Sequence, residues 1–214
     1  MDLRTRILQH ASELFMKVGV RSVTLDEIAR GLGISKKTIY QYFTNKAEIV
    51  YATMESHLHV EKQDILEIEQ QSTNALDEIV QIMHWLVKAT NGVNPTLIYE
   101  IQKYYPEAWD LMETHKCKFV LESLRSNLQR GIEEGFYRAD IDVEVLCRLR
   151  IAQIDLLFDE KHFPREQFNF MQVHLEAFKL FMFGLVTEKG HQHLDKQLQT
   201  YPDSFLKKET RIIT

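Results

Sequence analysis

Residues 24–48, T-L-D-E-I-A-R-G-L-G-I-S-K-K-T-I-Y-Q-Y-F-T-N-K-A-E, crowd three helix starts and a glycine stop into one short segment. Thr24 stands three residues before Glu27, the spacing of a capping box. Its hydroxyl accepts from the Glu27 amide while the Glu27 carboxylate returns to the Thr24 amide. Leu25, Ile28, Ala29 and Leu32 then recur at helical spacing and make one apolar face. Ala29 is small enough for a close helix crossing. Gly31 and Gly33 are expected to end this helix, since glycine takes the positive φ of a tight turn. Ser35 is placed to cap a second helix with Ile39 and Phe43 inside. Lys36, Lys37, Thr38, Tyr40, Gln41 and Tyr42 form its outer face. Asn45 and Glu48 make a second capping box that opens a third helix at once. This spacing predicts a helix-turn-helix.

The outer face has the chemistry of a duplex-DNA reader. Lysines neutralise phosphates and release counterions. Hydroxyls and helix N-terminal amides bind phosphate oxygens. Lys37, Thr38 and Gln41 can reach base edges in the major groove. Lys46 stands beside the second helix, in the first turn of the third. A cation there opposes the helix dipole, and an anionic partner relieves it. The alternative is a plain helical hairpin with solvated lysines. Two capping boxes, the turn glycines and the basic second helix together favour DNA over that reading.

The segment resembles the DNA-binding domain of the tetracycline-repressor (TetR) family of bacterial transcription regulators. The resemblance rests on an amphipathic first helix ending at Gly19, then V-T-L-D-E-I-A, the G-x-G-I-S turn and K-K-T-I-Y-Q-Y-F-x-N-K-A-E, over about residues 3–50. Y-Y-P-E-A-W at 104–109 and a G-F-Y-R-A-D turn extend it more weakly. The resemblance implies DNA contacts from Thr24, Lys36, Lys37, Thr38, Tyr40, Tyr42 and Lys46, with Tyr40 and Lys46 on phosphates. It also implies an all-α chain. Residues 1–48 form a three-helix helix-turn-helix domain, and residues 49–214 a helical domain for effector binding and dimerisation.

Net charge is −5 over 214 residues, which looks wrong for a DNA binder until it is divided. Residues 1–48 hold eight Lys/Arg and five Asp/Glu, whereas the rest holds eighteen and twenty-six. The basic end would face phosphate and the acidic body would be repelled from it. An apolar content of 44% suffices for the small domain and a body with its own core. Scarce proline and abundant helix formers point to helices throughout. The chain has no run of about eighteen apolar residues that could span a membrane, and M-D-L-R-T-R lacks a signal-peptide core. Cys117 and Cys147 have no pairing pattern and read as reduced cysteines in the cytoplasm, by the resemblance that of a bacterium.

Helices are expected at 3–18, 46–70, 74–90, 95–104, 106–133, 142–160 and 166–189, with a short helix and a loose tail over 191–214. Leu3, Ile7, Leu8, Ala11, Leu14, Phe15 and Val18 face inward on the first. Arg4 and Arg6 are candidates for backbone contacts or a solvated terminus. The 46–70 helix would span on the order of 37 Å. Asn91-Gly92, Pro95, Pro106, Gly135, Pro164 and Gly190 mark the breaks.

The last two long helices carry two apolar stripes each. One pair of stripes holds Val143, Leu146, Cys147, Ile154, Leu157 and Phe158, and Met171, Leu175, Phe178, Met182 and Leu185. The other holds Val145, Leu149, Ala152 and Leu156, and Phe170, Val173, Ala177, Leu180, Phe181 and Gly184. Helices apolar on most sides are buried on most sides. A homodimer through a four-helix bundle accounts for the second pair better than one monomeric core, and two heads would then span half-sites about 34 Å apart.

Met83, His84, Trp85, Tyr99, Met112, His115 and Phe119 are of the kind that lines ligand pockets. Taken singly, each also suits a helical core. The resemblance implies an effector pocket, to which Arg150, Ile154 and Phe158 are further candidates. Arg150, Gln153 and Asp155 are either polar anchors in it or dimer-interface pairs. No metal or cofactor is expected, because His57/His59, His115/Cys117 and His191/His193 stand two apart and diverge on a helix. No nucleophile elbow, P-loop or H-E-x-x-H motif is present. The reading that follows is a ligand-responsive DNA-binding regulator, a repressor of a pseudo-palindromic operator, and not an enzyme. A DNA-binding protein controlled by a protein partner is the alternative.

Overall fold

Each helix start in the first fifty residues has its cap. In the computed structural model, which describes residues 1–94, 96–157, 159, 161–164 and 166–200, the architecture is all-α. Helices α1 (Leu3–Val18), α2 (Leu25–Leu32), α3 (Lys36–Ile39) and α4 (Lys46–Gln71) come first. They are followed by α5 (Ala75–Thr90), α6 (Leu97–Tyr104), α7 (Pro106–His115), a π-helical turn (Lys116–Val120), α8 (Leu121–Glu133), α9 (Val143–Leu157), α10 (Phe170–Leu185) and α11 (Glu188–Thr200). No helix among the described residues is long and apolar enough to cross a membrane.

The chain divides into two compact units, Met1–Asp64 with Gly92–Val120, and Ile65–Asn91 with Leu121–Thr214. The first 48 residues thus belong to a larger packing unit that includes α6 and α7.

The core of the first unit is built by Ile7, Ala11 and Phe15 of α1, Ile28 and Ala29 of α2, Ile39, Phe43, and Ile49 and Val50 of α4. Leu97 and Ile101 of α6 complete it. Val18, expected inside, is exposed. Gly19 turns the chain there with φ +83°, and Val20 enters the core instead. Gly33 ends α2 in the left-handed region, as its position in the sequence implies. Gly31 does not help to end it. It lies within α2 where a β-carbon would collide with the His10 ring, so its smallness serves the approach of α1.

In the second unit, Leu76, Val80, Leu128, Tyr137, Cys147, Phe178 and Met182 share one core. A buried polar network crosses it. Asn127 Nδ2 donates to the Ala75 carbonyl at 2.8 Å and to Glu78 Oε1 at 2.9 Å. The Tyr137 hydroxyl donates to Asn127 Oδ1 at 3.1 Å or the Ala75 carbonyl at 3.3 Å. The Arg130 guanidinium meets Glu78 as an ion pair at 2.6 Å, without hydrogen-bond alignment. Burial pushes the Glu78 carboxyl upward against the pull of Asn127 and Arg130.

The end of the chain departs from the expected breaks. Helix α10 stops at Leu185, where an antiparallel bridge joins Val186 to Tyr137. Gly190 lies inside α11, against the Phe136 carbonyl, rather than between helices. Thr187 supplies the start of α11 by accepting from the Gly190 amide at 3.1 Å.

Tyr137→Phe removes the hydroxyl that ties Asn127 to the core. Urea denaturation is expected to show a loss of about 1–2 kcal/mol with the fold retained.

Candidate nucleic-acid interface

The candidate surface is assembled by caps. Asp2 accepts from the Thr5 amide at 2.8 Å and starts α1. The Thr24 box is complete: its hydroxyl accepts from the Glu27 amide at 3.2 Å, and its own amide donates to Glu27 Oε2 at 2.7 Å. Ser35 Oγ accepts from the Thr38 amide at 3.1 Å. The second box is shifted. Asn45 Oδ1 accepts from the Glu48 amide at 3.0 Å, but the Glu48 carboxylate returns to the Thr44 amide at 2.6 Å, one residue earlier than expected.

Helix α3 is short. It covers Lys36–Ile39, and the chain tightens beyond it into turns closed by Gln41 N–H to the Thr38 carbonyl at 3.2 Å and Tyr42 N–H to the Ile39 carbonyl at 2.9 Å. Ile39 and Phe43 are sealed in the core, and the Arg4 guanidinium lies 5.2 Å from the Phe43 ring centroid. Lys36, Lys37, Tyr40, Gln41 and Tyr42 are all exposed, and Thr38 is half-buried.

The exposed groups differ in what they still have to offer. Lys36 is held by Asp26 at 2.9 Å, which raises the lysine's pKa. Thr24 gives its hydroxyl proton to Glu27 Oε2 at 2.9 Å, so it can donate to a phosphate only by giving up that bond. Ser35 and Thr38 hydroxyls share one hydrogen bond of 2.8 Å, leaving one hydroxyl proton between them. No side-chain partner among the described residues engages Lys37 or Gln41. Lys46 is half-buried at the start of α4 without an ion-pair partner among those residues. Burial pulls its pKa down, opposed by the carboxylates of Glu100 and Glu27.

A support that sequence spacing did not indicate comes from α6. Glu100 Oε2 accepts from the Arg21 amide at 2.7 Å, and the Asn94 amide donates to the Met16 carbonyl at 2.6 Å. These bonds brace the turn between α1 and α2. They join residues far apart in sequence, which no local pattern encodes.

Residues 7–53 match the pattern described as "Bacterial regulatory proteins, tetR family". The HTH-type transcriptional regulator ArpR of Pseudomonas putida, named as probable, is 36% identical over 164 residues, covering 72% of this chain and 77% of ArpR. The chain belongs to the tetR family. A further relative, the HTH-type regulator YvaF of Bacillus subtilis, is 28% identical over 85% of this chain and 94% of its own length. Among solved structures, the transcriptional regulator FadR from Bacillus subtilis in complex with stearoyl-CoA shares the fold. It has a TM-score of 0.60 at 17% identity and covers 84% of this chain and 98% of that one. Family members of these names are transcriptional regulators, the class the helix-turn-helix implied.

In this tetR-family chain the candidate effector residues fall in both units. Tyr99, Met112, His115 and Phe119 belong to the first. His115 Nε2 lies 3.2 Å from Glu61 Oε1, and its ring stands 5.2 Å from that of Phe119. Both border a groove of about 270 Å³ that also takes in Leu58, His59 and Lys62. Tyr99 accepts from Lys103 Nζ at 3.0 Å. Met83, His84, Trp85, Arg150 and Ile154 belong to the second unit, with Met83 and Arg150 buried and the others half-buried. Phe158 lies outside the described residues.

Thr24→Ala is expected to destabilise the first unit by about 1 kcal/mol, read as a lower unfolding midpoint. The Glu27 carboxyl sits below its ordinary value of 4.5, held there first by the Thr24 amide and then by its hydroxyl. A depressed carboxylate stabilises above its unfolded pKa and loses that contribution as pH falls through the folded one. Glu27→Gln should therefore shrink the acid-side decline of stability in pH-dependent thermal melts.

Proposed function

We propose that this chain is a ligand-responsive repressor that binds a pseudo-palindromic operator as a homodimer and is released by a small-molecule effector. The observation that carries the reading is the contrast along α3 and the turn after it: Lys37 and Gln41 are exposed without partners among the described residues, beside groups already committed to caps or ion pairs. A cation and an amide held ready in this way suit base edges. Tyr40, Tyr42, Lys36, Lys46 and the Ser35–Thr38 hydroxyl pair take phosphates, and Thr24 orders α2 beneath them. The functional division follows residues 1–48 for DNA and 49–214 for effector and dimer.

Dimerisation is supported by apolar side chains facing solvent on α9 and α10, which pack on each other. Val145, Leu149 and Leu156 are 50%, 53% and 41% exposed, and Leu180 is 72% exposed. Ala152 and Gly184 are open beside them, and nothing lies within 4 Å of a β-carbon placed on Gly184. Val173 and Ala177 border the face half-buried, while Phe181 turns into the core. A second copy would cover this surface. Effector control is supported by the stearoyl-CoA bound to the FadR neighbour. An effector acts by differing in affinity for two head spacings, only one of which fits DNA. The site of action is the bacterial cytoplasm.

Duplex selection followed by footprinting is expected to yield a palindrome with half-sites about 34 Å apart. A single unsymmetrical footprint would contradict the reading. Lys46→Met should weaken all sequences alike and reduce the salt slope by about 1. Lys37→Ala and Gln41→Ala should change base preference, each removing about 1–3 kcal/mol of discrimination. Leu180→Glu should yield monomers in sedimentation equilibrium and lower operator affinity by about 100-fold through lost bivalency.

A further inference from the structure

Two arginines of the second unit, Arg130 half-buried and Arg150 buried, are treated differently. Arg130 is neutralised by Glu78 and flanked by Glu134. Arg150 is 6% exposed, and no carboxylate among the described residues pairs with it. Its guanidinium has two acceptors: Gln153 Oε1, 3.3 Å from Nη1, and His174 Nε2, 3.3 Å from Nη2. The remaining environment is aromatic, with the Phe178 and Phe181 ring centroids 5.7 and 5.6 Å from the guanidinium carbon. Rings attract a cation but do not neutralise it.

His174 does not resolve this imbalance. A guanidinium only donates, so His174 Nε2 must accept and the ring proton must sit on Nδ1. That Nδ1 is buried and has no acceptor among the described residues. Burial first, and Arg150 second, push the His174 pKa down to about 4, so the ring is neutral at pH 7. Burial alone pushes Arg150 down to about 10, which leaves it charged there. The pair therefore holds one positive charge and an unused N–H donor, with no anion among the described side chains.

The geometry points to Arg150 as the head-group anchor of the effector, with His174 holding it in place, and to a monocarboxylate with an apolar body as the effector's chemical class. The inference rests on the ligand-responsive reading above. A carboxylate matches the planar fork of a guanidinium. Its single charge balances a single cation, whereas a phosphate dianion would leave one charge buried and unpaired. Phe178 and Phe181 beside the guanidinium, with Phe170 6.0 Å from the His174 ring, give an apolar body its surroundings.

The test uses the full chain and four probes: acetate, 4-phenylbutyrate and their neutral amides, at constant ionic strength with chloride as the balancing anion. Ligand binding to the folded state raises Tm. Both carboxylates are expected to raise the Tm of the wild-type chain in a saturable way, 4-phenylbutyrate at lower concentration, and the amides to leave it unchanged. Arg150→Gln should abolish the response, and Arg148→Gln, on the exposed side of the same helix, should keep it. Arg150→Met, which replaces a buried unpaired charge with an apolar chain, serves as the second variant should Arg150→Gln not fold. Amides as effective as acids, no carboxylate response in the wild type, or a response that survives loss of Arg150 would each overturn the inference. Duplex selection with the wild-type chain separates the two readings. If DNA is selected and no carboxylate acts, only this inference fails. If no duplex is selected while carboxylates stabilise through Arg150, the anchor stands and the regulator reading fails.

Discussion

Ile39 and Phe43 hold the second helix of the helix-turn-helix in place, and the rest of the first unit is arranged around that burial. A helix of four residues has too few backbone hydrogen bonds to offset its own nucleation. Its orientation comes from two side chains anchored in a core that α1, α2, α4 and α6 build together. Caps at Thr24, Ser35 and Asn45 then fix where each neighbouring helix begins. With the inner face anchored, Lys37 and Gln41 have no course but outward.

Both units separate groups that complete the fold from groups left available. In the first, Thr24 and Lys36 are committed to Glu27 and Asp26, while Lys37 is not committed. In the second, Asn127 bonds Glu78 and Tyr137, and Glu78 pairs with Arg130, while Arg150 lacks an anion among the described residues. Burying a charge without a partner is costly, so the missing anion at Arg150 carries more weight than its burial alone. The exposed leucines of α9 and α10 repeat the pattern in apolar form.

Local chemistry was legible along the chain, and non-local packing was not. The Thr24 box, the Ser35 cap and the Gly33 turn depend on groups a few residues apart, and each formed where its spacing placed it. Gly31 and Gly190 looked like helix stops because glycine carries two meanings. Only the folded chain showed His10 against one and the Phe136 carbonyl against the other. The expected helix over 106–133 is divided by a π-helical turn at Lys116–Val120, which the apolar spacing does not distinguish from α-helix. The effector candidates were chosen by residue type, which does not separate a half-buried Trp85 from a core Met83.

The sequence by itself determined the family, the all-α class and the order of the caps and basic residues that make a helix-turn-helix. These follow from short-range hydrogen bonding and helical periodicity, which a linear pattern records. Tertiary structure alone decided which polar groups remained available. Arg150 and Arg130 are indistinguishable as letters on amphipathic helices. Their difference arises from Glu78, on another helix, reaching one and not the other. Likewise, the Glu100 carboxylate reaches the Arg21 amide only because α6 packs beside α1. Partnerships of this kind depend on where the helices come to lie, and that position is a property of the whole packed chain.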